Sequence, residues 1–463
     1  MIHTNYRGCK EWCDGGLPMS TTSDEATKMF DATLSQYVGF RDETSVGGMA
    51  KTMERMLSAD PEFVMGRVIV NGLTVVGMGK SPRWDKQLRQ SIDEMVRLAE
   101  TRKITKRETK HVEAIKLLSD GYMYEATQVW EDILVDHPTD ILALKQGQDA
   151  YYRLGKPVQM RDSIARVLPH WDASIPLYAY LPGFYAFGLC ETDHWNEAEK
   201  SANKGIELIP TSSWATHVLA HVYEMQGRTQ EGISHLSTTL DNWTDHSSAP
   251  LANHIFWHWA VFHIERGEYT AALDLFDSQV SECTVRQISV RDMAWLNSAG
   301  VTVGQERWED VAEVCRPRLD EHTSVFNDCH LLMACLSAKK SSDVDHLIGS
   351  IKTYVMEVGT GTQHKLFETV GKAMTRSLVA YGEGRYSDAV RILNPHRYSI
   401  IDIGGSNAQR DVFKLFLINA AIRSNTPEHR RLARSLVIER KAYKPDSPMT
   451  DRLMERVMAL HDN

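Results

Sequence analysis

A short phrase returns along this chain, and its spacing limits the possible folds more than any other feature. It consists of an aromatic residue, a small residue three positions later, and glycine or proline at the boundaries. "HWNEAEKSANKGIELIP" (194–210) carries Trp195, Ala198, Ala202 and a closing Pro210. "GEYTAALDLF" (267–276) repeats it with Gly267, Tyr269 and Ala272, and "GRYSDAVRILNP" (384–395) with Gly384, Tyr386, Ala389 and Pro395. Weaker copies are "GYMYEATQVWEDILVDHP" (121–138), "GRTQEGISHL" (227–236) and "ERWEDVAEV" (306–314). Between the marks Met123, Trp195, Thr229, Tyr269, Trp308 and Tyr386 the gaps are 72, 34, 40, 39 and 78 residues. The two long gaps are about twice the ~34–40-residue period of helix–turn–helix repeats, and "QMRDSIARVL" (159–168) falls near the middle of the first. Small alanines let two helices approach, the aromatic fills the space above them, and glycine or proline ends each helix. A hairpin of this kind cannot bury its apolar stripe alone, so neighbours must stack into a continuous core.

Strand signals are few. "VMGRVIVNGLTVVG" (64–77) is the strongest, and its small residues and length suit a buried helix at least as well. The chain is therefore read as all-α. With 463 residues, 42% hydrophobic and 24% charged, it has material for a large core. A net charge of -9 argues against nucleic acid as a partner, because no basic stripe offsets it. The basic run "TRKITKRETK" (101–110) reads as a solvated helix face. No secretory signal and no apolar run approaching ~18 residues is seen, so no membrane partner is expected. Seven cysteines (Cys9, Cys13, Cys190, Cys283, Cys315, Cys329 and Cys335) form an odd set without framework spacing. Cys9 and Cys13 have no second pair to complete a zinc site, which leaves free thiols in a cytosolic protein.

Several longer stretches extend the picture: "LPMSTTSDEATKMFDATLSQYV" (17–38), "DPEFVMG" (60–66), "DHPTDILALK" (136–145), "MRDSIARV" (160–167), "HWAVFHIERGEYTAAL" (258–273), "VFNDCHLLMA" (325–334) and "GGSNAQRDVF" (404–413). In these the chain resembles the tetratricopeptide repeat protein 38 family, over nearly its whole length. The resemblance implies a right-handed α-solenoid of tetratricopeptide-like helical hairpins in a soluble, cytoplasmic protein; it supplies no reaction. The expected organisation is irregular hairpins over 1–110, a repeat array over 111–400 and a helical cap over 401–463, joined as one solenoid. The polar segment "SPMTDRLMERVMALHDN" (447–463) suits an end cap, and a monomer is expected.

Two histidine pairs stand out. In "HVLAHVYE" (217–224), His217, His221 and Glu224 fall within one stripe of a helix at ~100° per residue. In "HIFWH" (254–258), His254 and His258 do the same; Glu265 lies near their stripe and His263 on the opposite side. Each pair precedes a repeat mark, which places both on the first helices of neighbouring hairpins. In a tetratricopeptide solenoid those helices line the concave surface. Imidazoles at i and i+4, with a carboxylate, suit a divalent metal such as zinc. Val218 occupies the position where a zinc-protease helix carries glutamate, so that mechanism is unsupported. A polar groove without metal, or incidental placement, explains the same histidines.

Other groove candidates are weaker. "GGSNAQRDVF" could hold an anion through helix-start amides, Asn407 and Arg410, or serve as a loop-to-helix joint capped by Ser406 or Asn407. "FNDCH" (326–330) offers Asn327, Asp328 and His330, and "QDAYYRLG" (148–155) offers Asp149 and Tyr152. No phosphate loop, nucleophile elbow or dinucleotide fingerprint occurs, and "GLTVVGMG" (72–79) reads as helix packing. Two functions follow. The first is a scaffold whose concave groove binds a peptide, protein or small ligand. The second is a metal-dependent hydrolase or lyase with His217, His221, His254 and His258 as ligands and Glu224 as ligand or general base.

Overall fold

The computed structural model describes residues 3–77, 80–280 and 301–460, and among these every regular element is a helix. Cys283 and the last two residues of "GLTVVGMG" lie outside them; the six described cysteines are free thiols. The 64–77 run is helical: Val64–Gly72 continues into a wider turn over Leu73–Gly77. Val64, Met65, Val68 and Ile69 are all buried, which is the i, i+3, i+4 spacing of a helix face and not the alternation of a strand. No helix among the described residues is long and apolar enough to cross a membrane.

The chain divides into two compact units. The first comprises Met1–Ala215, Asp241–Ser248 and Thr360–Thr362; the second comprises Thr216–Leu240, Ala249–Gly359 and Gln363–Asn463. In the first, helical hairpins form from Lys106–Ser119 with Met123–Asp136, from Ile141–Arg153 with Pro157–Val167, and from Leu181–Cys190 with Trp195–Leu208. Ala198 and Ala202 are fully buried, so the second helix of the last pair lies close on the first. Asp140 caps the Ile141–Arg153 helix and pairs with Arg107 at 2.8 Å and His111 at 2.9 Å, joining consecutive hairpins.

The second unit continues the pattern. Its elements include Thr229–Thr238, Ala249–Arg266, Tyr269–Leu275, Gln305–Cys315, Val325–Ser337, Ser341–Val358, Lys372–Gly382, Tyr386–Leu393, Asn407–Arg423, Pro427–Tyr443 and Pro448–Ala459. The physical meaning of the repeated phrase is now plain. Met123, Trp195, Thr229, Tyr269 and Tyr386 are each the first residue of a second helix. Gly227, Gly267 and Gly384, at φ of 71°, 80° and 77°, end the first helices in the left-handed conformation that glycine adopts without strain.

Candidate metal centre

The two histidine pairs lie on Ser213–Met225 and Ala249–Arg266, the first helices of neighbouring hairpins. The second of these is largely enclosed, with Leu251, Ile255, Phe256, Trp257, Val261, Phe262 and Ile264 all buried. Polar side chains on the enclosed part of this helix must find company inside. The histidines find one another. One ligand nitrogen from each of His217, His221, His254 and His258 lies within 4.8 Å of all the others. The Nε2 atoms of His217 and His221 are 2.9 Å apart, and the rings of His221 and His258 are centred 4.3 Å apart. His254 packs at 4.8 Å from His217 and stacks on Trp257.

Four nitrogens on a tetrahedron with metal bonds of ~2.0–2.1 Å stand about 3.4 Å apart, so rotations moving each ring by about 1 Å or less would close the set on an ion. The electrostatics favour ligands over cations. Burial pushes His217 down to about 3. His221 is also held well below the usual imidazole range, by burial first and then by the neighbouring His258 and His217. At neutral pH both keep the lone pair that a metal needs. Three of the four rings are buried and His254 is partly exposed, so the cluster has one accessible side.

Glu224 stands one turn beyond His221 but does not join the nitrogens. Its Oε2 lies 3.0 Å from His258 Nδ1, so that ring donates there. This is the carboxylate–histidine arrangement that fixes tautomer and orientation in metal sites. Burial pushes Glu224 up to about 7, with Asp411 and Glu265 adding to the rise and Lys444 opposing it. Behind Glu224 lies a buried charge network. Lys444 Nζ reaches Glu224 Oε1 at 3.5 Å, Glu265 Oε1 at 3.4 Å and Asp411 Oδ2 at 3.9 Å. Arg440 pairs with Asp411 at 2.6 Å and with Glu265 at 3.4 Å. Ser447 Oγ donates to Glu265 Oε2 at 2.7 Å, and the Met449 amide, in the first turn of the Pro448–Ala459 helix, lies 3.3 Å from the same oxygen. Burial alone would raise Glu265, but Lys444, Arg440 and Ser447 outweigh it and hold its carboxyl below the usual range.

The sequence reading missed Lys444, Arg440 and Asp411 as parts of this site. Their distance along the chain hides them. His263 has a separate role, with Nδ1 2.7 Å from Glu268 Oε2.

The remaining expected groove residues make their own ties. In the first unit, Asp149 receives Lys145 Nζ at 2.5 Å and the Tyr37 hydroxyl, while Tyr152 packs near Phe187 with ring centres 6.2 Å apart. Lys145 is held below the usual lysine range by burial, which Asp149 opposes. In the second unit, Asp328 Oδ2 lies 2.6 Å from His322 Nδ1, and Asn327 Nδ2 donates to Thr323 Oγ1 at 3.2 Å. His330 Nδ1 donates to the Phe326 carbonyl at 2.6 Å, and its ring lies against Phe326 and Phe413. Ser406 caps the Asn407–Arg423 helix in a reciprocal box with Gln409. Arg410 donates to the Gly405 carbonyl and to Asn407 Oδ1 at 2.6 Å, so this cation holds the joint together. "FNDCH" and "GGSNAQRDVF" do meet: Phe326 fills the space beside Gly405, where a Cβ would stand 2.7 Å from its ring.

Compared with models of known protein families, the chain matches none.

Proposed function

We propose that this protein is a tetratricopeptide-like α-solenoid of the tetratricopeptide repeat protein 38 type, a cytoplasmic monomer whose binding function is organised around a four-histidine metal centre. The observation that carries the metal reading is the approach of four imidazole nitrogens, from two neighbouring helices, to within 4.8 Å of one another. Neutral imidazole ligands favour a borderline ion, zinc first, over magnesium or calcium, which take oxygen donors. Glu224 supports the reading because its contact with His258 organises that ring from behind. The resemblance and the packed hairpins support the solenoid, whose concave groove would receive a peptide, a protein or a small ligand.

The test is metal analysis of protein purified without an affinity tag, before and after reconstitution with zinc. One equivalent in the wild type, lost in both His217→Ala and His254→Ala, is expected. Failure of the wild type to retain any ion after reconstitution would overturn the metal centre and leave the plain binding scaffold.

The partial exposure of His254 favours a second reading, a metal-assisted hydrolase or lyase, because an ion approached from that side can gain a position for water or substrate. Cobalt substitution tests it. Azide should then change the visible spectrum, whereas an unchanged spectrum marks a closed, structural ion and ends the enzyme reading.

A further inference from the structure

A second feature of the Thr216–Asn463 region is independent of the histidines. The Ser341–Val358 helix runs for 18 residues yet buries only Leu347 and Ile351. A helix this long in a packed array ordinarily buries a continuous stripe. Here much of the stripe opens instead onto a groove of about 970 Å³. Val344, Ile348, Ile351 and Val355 form its near wall, with Phe367 and Val379 opposite. Along the helix those four positions are spaced 4, 3 and 4 residues apart. That is the seam a second helix packs against, knobs into holes, and it extends about 17 Å, or three turns.

Charge says what kind of helix fits. Lys339, Lys340, Lys352, Lys372 and Arg376 line the same groove, and among the described residues none of the five is ion-paired. The acids there are fewer. Glu368 pairs with His364 at 3.2 Å and Glu383 pairs with Arg385, which leaves Asp345. Met356 adds an exposed, adaptable apolar side chain, 76% accessible.

We infer that this groove docks an amphipathic helix of a partner protein, with apolar residues at 4-3-4 spacing and glutamate or aspartate on its flanks. The apolar seam supplies contact area and the lysine and arginine rim selects the sign of the flanking charge. A half-open groove with two helical walls suits a helix better than a small ligand, which a binding pocket encloses on most sides.

The experiment uses the full chain and a fluorescent synthetic helix of 18 residues with leucine at 4-3-4 positions and glutamate flanks. A control carries lysine in place of every glutamate. Anisotropy titrations should show the acidic helix binding at least about tenfold more tightly than the control. Lys352→Glu with Arg376→Glu leaves three cations against three acids on the rim and should abolish that preference, and Ile348→Asp should abolish binding of both. These positions are exposed or half-buried, and circular dichroism confirms that the variants fold. Equal binding of the two helices by the wild type, or a preference unchanged in the doubly reversed variant, would overturn the proposal. So would displacement of a fluorescent acyl probe by oleate without helix binding, which assigns the groove to a small amphiphile. Concentration-dependent dimerisation lost in Ile348→Asp would assign it to a second copy of this chain and overturn it too. Metal analysis of the same variants should be unchanged, so this result and that of the histidine centre are read separately.

Discussion

The 3.0 Å approach of Glu224 to Nδ1 orients the His258 ring within its packing against the other imidazoles and Trp257. Glu224→Gln retains the shape but weakens the acceptor that orients the ring. Zinc affinity should fall about 10- to 100-fold, read by competition with a chromophoric chelator. Unchanged affinity would mean that Glu224 has no part in holding the ring. A second residue acts by having no side chain. Gly227 sits at φ of 71°, and a Cβ there would stand 2.4 Å from the Asp446 carbonyl oxygen. This close approach brings the segment that carries Lys444 down onto the histidine helices. Gly227→Ala should therefore destabilise the protein by about 1–3 kcal/mol, seen as a lower urea midpoint, with weaker zinc binding alongside.

At the scale of the element, what joins successive hairpins is as informative as what fills them. Asp140 caps its own helix and receives Arg107 and His111 from the helix two positions earlier. Burial would raise its carboxyl, but the charges of His111 and Arg107 outweigh that and hold it far below the usual range. A depressed folded value means that the stabilisation is complete above the unfolded value of ~3.9 and is lost as pH falls below it toward the folded one. Urea unfolding followed between pH 7 and pH 2 should show stability dropping below about pH 4. In Asp140→Asn that acid-dependent drop should shrink, while stability at pH 7 falls by roughly 3–5 kcal/mol because Arg107 keeps its charge in a buried site. A wild-type curve that is flat below pH 4 would contradict this account of the joint.

Across the second unit, one buried ionic network ties residues far apart in sequence. Lys444 stands among Glu224, Glu265 and Asp411, and Arg440 bridges the last two. Such a network is costly to desolvate, and its members are strongly destabilising to remove singly, because the partners are left buried and unbalanced. Lys444→Met should cost about 3–5 kcal/mol in urea unfolding. The double variant Lys444→Met with Glu265→Gln should cost less than the sum of the two single changes. Strict additivity would show that the charges act independently.

The helical class, the hairpin boundaries and the two histidine pairs were legible in the sequence because each is a local regularity. Glycine at the end of a first helix and an aromatic at the start of a second lie only two positions apart, as in Gly267 and Tyr269. A four-residue spacing likewise puts two imidazoles on one face of a helix. Which faces meet is not local. The sequence placed His217 and His254 on neighbouring first helices and left open whether their stripes turn to the same point. Tertiary packing decided that they do, and it placed Glu224 behind His258. It also brought Lys444 and Arg440 to the site across more than 170 residues of chain. The reason is physical: burial is shared among all the elements around a point, so the partners of a buried charge are set by packing that no single segment encodes. The same holds for the Ser341–Val358 helix. Its 4-3-4 seam is written in the sequence, and only the surrounding packing leaves that seam facing an open groove.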